Sequence, residues 1–481
     1  MGESDTFDLL VIGGGINGTG IARDAAGRGL SVLLTERGDL ACGTSSASSK
    51  LVHGGLRYLE HGQFRLVRES LAERELLLRA APHLVRPLRF VLPHDREHRP
   101  GWLIRLGLAL YDHLGGTGSL PGSRAVRLAG SPLGAGLRPE LVRGFTYWDG
   151  WVPDARLVVA NAIDAAERGA VILTRTPCLA AGREGALWRV ELAGRTVQAR
   201  RLVNAAGPWA GRVLGAVLGR PGGERLRLVK GSHIVVPRLH DGDHALIVQN
   251  ADRRVVFALP YEESFTLIGT TDLPFSGDPA DADVSDAEIA YLCTAVNRVL
   301  ARPITPAAVT DRFAGVRPLY DDGRADPSRV SRDYVLALEG GEGEAPLLTV
   351  FGGKLTTYRR LAERAVDRLL PGSRCWTAGA VLPGGEGAPA LPDWLAPALA
   401  RRLARSYGSR AGAVLGEARG LADLGRDFGG GLSEREVTWL IEREFARSAA
   451  DILWRRSKLG LVLTGAQRAE LARWLNERDK A

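Results

Sequence analysis

"FDLLVIGGGINGTGIARDAAGRGLSVLLTE", Phe7 to Glu36, decides the architecture of this chain. Phe7 to Ile12 is apolar apart from Asp8 and reads as a buried strand. Asn17 to Arg28 reads as a packed helix and Leu30 to Thr35 as the next strand, which together make one complete βαβ unit. Gly13, Gly15 and Gly18 form G-x-G-x-x-G between strand and helix, and Glu36 closes the second strand 18 residues after Gly18. Such glycines permit a tight turn and let a pyrophosphate approach the helix N-terminus. The carboxylate accepts from ribose hydroxyls and repels a 2′-phosphate, which disfavours NADP and leaves NAD or FAD.

Two features favour FAD. The chain holds no second complete fingerprint with a downstream acid, so one dinucleotide binds and stays. Soon after Glu36 come Gly43, Thr44, Ser45, Ser46, Ser48 and Ser49, small residues that bring amides and hydroxyls to a pyrophosphate and a flavin ring. A third backbone wall is expected at Gly207, where the strand Leu202 to Asn204 ends in a glycine turn. Leu347 to Phe351 reads as a buried strand followed by Gly352, Gly353 and a helix from about Lys354 to Leu370. A helix starting there aims its positive end, with the amides around Leu355 and Thr356, at the negative charge of a reduced flavin.

With 481 residues, 45% of them hydrophobic, the chain is globular and should form two or three domains. Its net charge of +8 suits a phosphorylated metabolite, an anionic membrane surface or nucleic acid. Lysine occurs only at positions 50, 230, 354, 458 and 480, and three of these fall inside motifs. Cys42, Cys178, Cys293 and Cys375 have no paired spacing, so neither zinc nor a redox dithiol is expected and a reducing compartment is. Met1 to Phe7 is acidic, and no apolar run approaches the roughly 18 residues of a spanning helix. The expected location is cytoplasmic, with or without contact at a membrane surface. The Arg-rich stretch Trp454-Arg455-Arg456 raises a nucleic-acid reading. The acids Glu434, Glu436, Glu442 and Glu444 nearby favour a solvated helical face, or packing between subunits of a homodimer, over nucleic acid.

Helices are expected at Phe64 to Ala81 and Leu157 to Glu167, and a strand at Ala170 to Thr174, with Pro-rich segments from Pro82 to Pro100. From Arg225 to Asp333 short β-rich runs such as His233 to Val236 and Val255 to Leu259 alternate with turns. The fold expected is α/β: a discontinuous nucleotide domain of residues 1–85, 150–224 and 335–380, an antiparallel β-rich substrate domain of residues 86–149 and 225–334, and a C-terminal all-helical domain of residues 393–481. Ser433 with Glu436, and Thr464 with Gln467, match capping boxes in that last domain.

The stretches "VIGGGINGTGIARDAAGRGLSV", "SSASSKLVHGGLRYLE", "LVKGSHIVVP", "IGTTD", "GVRPL", "SRDY" and "FGGKLTTYR" together resemble the FAD-dependent glycerol-3-phosphate dehydrogenases. "DLGRDFG" through "LWRRSKLG" is similar to that family's extra helical domain. The resemblance implies a flavoprotein with a Rossmann-like FAD domain of the D-amino-acid-oxidase type. It would oxidise sn-glycerol 3-phosphate to dihydroxyacetone phosphate by hydride transfer to flavin N5 and pass electrons to a membrane quinone. Related oxidases use O2 as the acceptor.

The residues agree with that chemistry. A phosphate dianion calls for arginine in bidentate geometry, and the candidates are Arg57, Arg317 and Arg332, with Tyr58 as a hydroxyl partner. Oxidising a secondary alcohol requires a base, for which His233 stands first and His53 competes. Lys354 or Arg317 is placed to stabilise a developing alkoxide, and Thr270 to line the pocket or cap a turn. "RPGWLIRLGLALYDHLG" is too short to span a bilayer and suits either an interface, on the inner face of the cell membrane, or a buried core. The other enzyme class consistent with the fingerprint is an NAD-linked alcohol dehydrogenase, which would purify without colour.

Overall fold

The computed structural model describes residues 6–94, 100–116, 118–220, 226–250, 254–321, 333–341 and 343–478, without the side chains of Arg57 and His61. Two of the expected phosphate ligands, the Arg57 side chain and Arg332, therefore lie outside the described residues.

Every residue of the strand Leu9–Ile12 is buried because both of its faces are covered. Leu9 and Val11 enter one core with Val32, Leu34, Val203 and Val350, whereas Leu10 and Ile12 enter another with Leu33, Leu202 and Phe351. This is the period of two of a strand buried on both sides. The six-stranded sheet runs in the order Val335–Glu339, Leu347–Phe351, Leu202–Asn204, Leu9–Ile12, Val32–Thr35, Val171–Leu173. It is parallel except at its first edge pair. Helices Ile16–Gly27, Asp154–Glu167 and Tyr358–Leu369 cover one face.

A four-stranded sheet, formed by Thr6–Phe7, Arg195–Ala199, Leu187–Leu192 and Cys178–Glu184, covers the other face. The sequence reading places no strand between residues 174 and 202. Trp188, Val190, Leu192 and Val197 point inward there with the small Ala181 and Ala199, and the charged neighbours Arg189, Glu191 and Arg195 interrupt the apolar pattern.

The second large sheet has ten strands, with Leu226–Pro237 paired to Asp311–Tyr320 from Leu226↔Tyr320 through Val235↔Asp311. It includes Arg86–His94, inside the stretch read only as Pro-rich. Pro87 and Pro93 are tolerated because the parallel neighbour His244–Gln249 pairs only with residues 89–91, leaving both prolines beyond that edge. Helix Asp286–Asn297 packs on one face of this sheet, and helices Phe64–Ala80 and Gly101–Leu114 on the other.

Residues 393–478 are helical around their own core, which includes Leu403, Val414, Phe428, Val437, Leu440 and Leu471. Thr464 and Gln467 form the reciprocal capping box. At Ser433 only half forms: its hydroxyl accepts from the Glu436 amide, while the Glu436 carboxylate turns to Arg402 and Tyr407. Tertiary ion pairing has taken the carboxylate from the cap. The helical domain docks through Arg456, which donates to Asp39 at 2.5 and 2.7 Å, and through Arg175 to Asp451 at 2.7 Å. Among the described residues no helix is long and apolar enough to cross a membrane.

Candidate functional site

A cavity of about 580 Å3 runs from the glycine fingerprint to the face of the ten-stranded sheet, a size typical of ligand sites. At its first end, Gly13 has φ +114°, and a Cβ there would come within 2.6 Å of the Ala205 carbonyl oxygen. A Cβ on Gly18 would sit 1.9 Å from the Gly13 carbonyl oxygen, so Gly18 does not line the cavity but lets the helix close on the turn. Gly15 lines the cavity, as does Gly207 on the facing wall. The Glu36 carboxylate accepts from the amides of Gly14 at 2.7 Å and Gly38 at 2.8 Å, which fixes it at the strand end with lone pairs left over.

The loop from Gly43 to Ser49 forms the middle wall. Its hydroxyls are already engaged: Thr44 donates to Val316 O at 2.6 Å, Ser48 to Asp154 at 2.7 Å, and Ser45 Oγ accepts from the Ile16 amide at 3.0 Å. Ser46 lies outside this cavity, its hydroxyl donating to Gly43 O at 3.3 Å and its side lining a smaller neighbouring one. Behind the loop Lys50, fully buried, donates to both carboxylate oxygens of the buried Asp154 at 3.0 Å. The sequence reading flags Lys50 only as one of few lysines; its partner is 104 residues away and carries no local cue.

The helix expected from Lys354 begins at Tyr358, and Lys354 to Thr357 form a turn. Its first amide pairing, Leu361 N to Thr357 O at 2.9 Å, lies beyond the residues that line the cavity. The expected positive helix end at Lys354 is thereby corrected. Gly352 (φ +78°), Gly353 (φ +102°), Leu355 and Thr356 line the cavity as a glycine-rich turn instead. Thr356 Oγ1 accepts from the His53 amide at 3.1 Å, joining this turn to the segment that carries Tyr58. A Cβ on Gly353 would lie 2.8 Å from Asn17 Nδ2, so the turn approaches the fingerprint helix closely.

At the second end, Lys354 Nζ lies 3.9 Å from the Tyr58 ring centroid. Arg317 donates to Asp272 at 3.0 Å and to Thr270 at 3.2 Å. His233 is 2% exposed, stacked on Phe313 at 5.0 Å, with Nε2 2.9 Å from Ser49 Oγ. Its Nδ1 has no hydrogen-bond partner among the described residues. Burial, then Lys50 and Arg317, hold the His233 pKa well below the usual 6.5, so the ring is neutral. His53 also lines the cavity, as do Asp272, Trp209 and Arg254, which the sequence reading does not single out.

These features fit FAD: a fingerprint whose glycines a Cβ would obstruct, a carboxylate fixed at the strand end, and one cavity reaching a charged, polar far end. The profile of the FAD dependent oxidoreductases matches residues 8–359, and that of the C-terminal domain of alpha-glycerophosphate oxidase matches residues 340–476. The chain is 53% identical to a glycerol-3-phosphate dehydrogenase of Pseudomonas aeruginosa, covering 98% of this chain and 95% of that one. It is 52% identical to the D-erythritol 1-phosphate dehydrogenase of Brucella abortus, covering 99% of both. Among solved structures it is similar to the glycerol-3-phosphate dehydrogenase of Bacillus halodurans complexed with FAD. The TM-score there is 0.73 at 28% identity, covering 98% of this chain and 90% of that one.

Proposed function

The chain belongs to the FAD-dependent oxidoreductases, and from that premise we propose that it oxidises sn-glycerol 3-phosphate to dihydroxyacetone phosphate and delivers the electrons to a membrane quinone. The observation that carries this reading is one cavity with a dinucleotide fingerprint at one end and His233, Arg317, Thr270, Lys354 and Tyr58 at the other. Gly13, Gly15, Glu36, the Gly43–Ser49 loop, Gly207 and the Gly352–Thr356 turn hold FAD. When bound, FAD supplies the acceptor for the hydride that leaves the substrate carbon.

Arg317 and Lys354 bring positive charge to the substrate phosphate and to the alkoxide that develops on its secondary hydroxyl. Each charge-assisted hydrogen bond contributes about 1.5–3 kcal/mol. Asp272 and Thr270 fix the Arg317 guanidinium, so little rotamer freedom is lost on binding. Tyr58 orients the Lys354 ammonium. Arg57 and Arg332 complete the phosphate site in this reading. His233, neutral in the free protein, accepts the hydroxyl proton, and the arriving phosphate dianion offsets Lys50 and Arg317 and raises the ring's basicity.

Contact with the membrane is supported by helix Gly101–Leu114. It buries Leu108 and Tyr111 but exposes Trp102 by 69% and Leu106 by 59%, with Leu103, Leu110 and Arg105 on the exposed surface. A rigid apolar face of this kind with a basic residue suits a monotopic contact. Tyr111 ties the helix to the site segment by accepting from the Gly54 amide at 2.8 Å.

A second reading, a longer polyol phosphate as substrate, is favoured by the Brucella abortus relative. Anaerobic absorption spectra of the purified protein, taken before and after adding sn-glycerol 3-phosphate or D-erythritol 1-phosphate, separate the two. Bleaching of the flavin band by glycerol 3-phosphate is expected. Bleaching by the erythritol ester alone moves the assignment to the longer substrate, and a band that persists with both removes the polyol phosphate reading.

A further inference from the structure

The cavity wall that carries His233 and Thr270 is held from behind by one carboxylate. Along Leu226–Pro237, Gly231 and His233 line the cavity, so Lys230 and Ser232 face the opposite side of the sheet. In the turn after Phe265–Gly269, Thr270 and Asp272 line the cavity and Thr271, 1% exposed, does not. All three hidden residues meet Glu288, at the third position of helix Asp286–Asn297. Glu288 Oε1 accepts from Ser232 Oγ at 2.7 Å and Thr271 Oγ1 at 3.0 Å, and Oε2 accepts from Lys230 Nζ at 2.8 Å. Oε2 also accepts from the amide of Ser285 at 3.0 Å and its hydroxyl at 2.9 Å, closing that helix's capping box.

Thr271 Oγ1 in turn accepts from the Ser232 amide at 2.9 Å, stapling the His233 strand to the Thr270–Asp272 turn. A capping box needs only the bonds to Ser285. The three further donors come from two separate segments, and in each segment the flanking residues line the cavity.

We propose that Glu288 is a positioning residue for the substrate end, setting the spacing between His233 on one segment and the Thr270–Asp272 support of Arg317 on the other. The proposal rests on the polyol phosphate reading above. Burial works to raise the carboxyl pKa, yet the bonds from Lys230, Ser285 and Ser232 hold it at about 2, so the anchor is ionised throughout the working range. No atom of Glu288 lines the cavity. Its effect is on geometry, where a displacement of about 1 Å costs on the order of a hundredfold in rate.

The test compares flavin-loaded full-length protein with the Glu288→Gln, Ser232→Ala and Thr271→Val variants, using whichever polyol phosphate bleaches the wild type. Flavin per chain, kcat and KM are measured separately. The expected result is wild-type flavin content, because the dinucleotide end does not touch this network, with kcat lowered and KM raised so that kcat/KM falls about tenfold or more. The Glu288→Gln and Thr271→Val effects are expected to be non-additive when combined. Wild-type kcat and KM per flavin in all three variants overturn the proposal, as does activity lost only in proportion to flavin lost. If Glu288→Gln does not fold, Ser232→Ala and Thr271→Val decide alone, since each removes only a hydroxyl. A wild-type flavin that no polyol phosphate bleaches overturns the substrate reading instead. The same variants are then compared by titrating inorganic phosphate against the flavin spectrum, with weaker binding expected and wild-type binding fatal to the proposal.

Discussion

The two ends of the cavity are built in different ways. The fingerprint at the nucleotide end is made largely of backbone from one continuous stretch, Leu9 to Glu36, in which glycine is needed because a Cβ at Gly13 or Gly18 would meet main-chain oxygen. The far end, to which the proposed function assigns the substrate, is made of side chains from separate segments: Tyr58, His233, Thr270 with Asp272, Arg317 and Lys354. A backbone site tolerates no Cβ but accepts many side chains around it. A side chain at the other end can be truncated without driving an atom into main chain.

That contrast orders the expected effects of mutation. The largest belongs to Gly13→Val: with φ at +114° and a carbonyl 2.6 Å from the new Cβ, the turn is displaced and the purified protein should be colourless. A yellow protein with full flavin content would break the distinction. Next comes Arg317→Ala, which should keep flavin content and lower kcat/KM by about two orders of magnitude, the worth of roughly two charge-assisted hydrogen bonds. Loss of flavin in this variant would show that the two ends are not separable.

The smallest effect is in pH dependence. With His233 as the proposed base, the acceptor form is the neutral ring, and its pKa lies well below 6.5, so kcat/KM should be flat above that pH and fall as pH drops through the lowered value. Removing the Arg317 charge should move this acid limb upward, toward 6.5, because Arg317 is one of the groups that disfavours the protonated ring. A limb unmoved in Arg317→Ala would assign it to another group.

The same contrast explains what was legible before folding. The βαβ unit, the strand Leu347–Phe351 and the helix Phe64–Ala80 are written in residues close in sequence, where period and glycine spacing act locally. The helix after Gly353 starts late because Lys354, Leu355 and Thr356 line the cavity as a turn, a demand made by tertiary contacts rather than by propensity. The serines were legible as a loop that approaches a ligand, but the destinations of their hydroxyls were not. Ser48 meets Asp154, 106 residues on, and Ser49 meets His233, 184 residues on.

By itself the sequence determined the dinucleotide fold and the acid Glu36 at the end of its second strand, and it nominated charged residues suited to a phosphate, because those depend on chemical identity and local spacing. Only the tertiary structure decided which of those groups share a cavity and in what state they arrive. It buried Lys50 against Asp154, kept His233 neutral between Phe313 and Gly269, and placed Glu288 behind the two segments that carry His233 and Thr270. The physical reason is that burial and charge pairing set the energy of an ionisable group, and both are properties of neighbours brought together from across the chain.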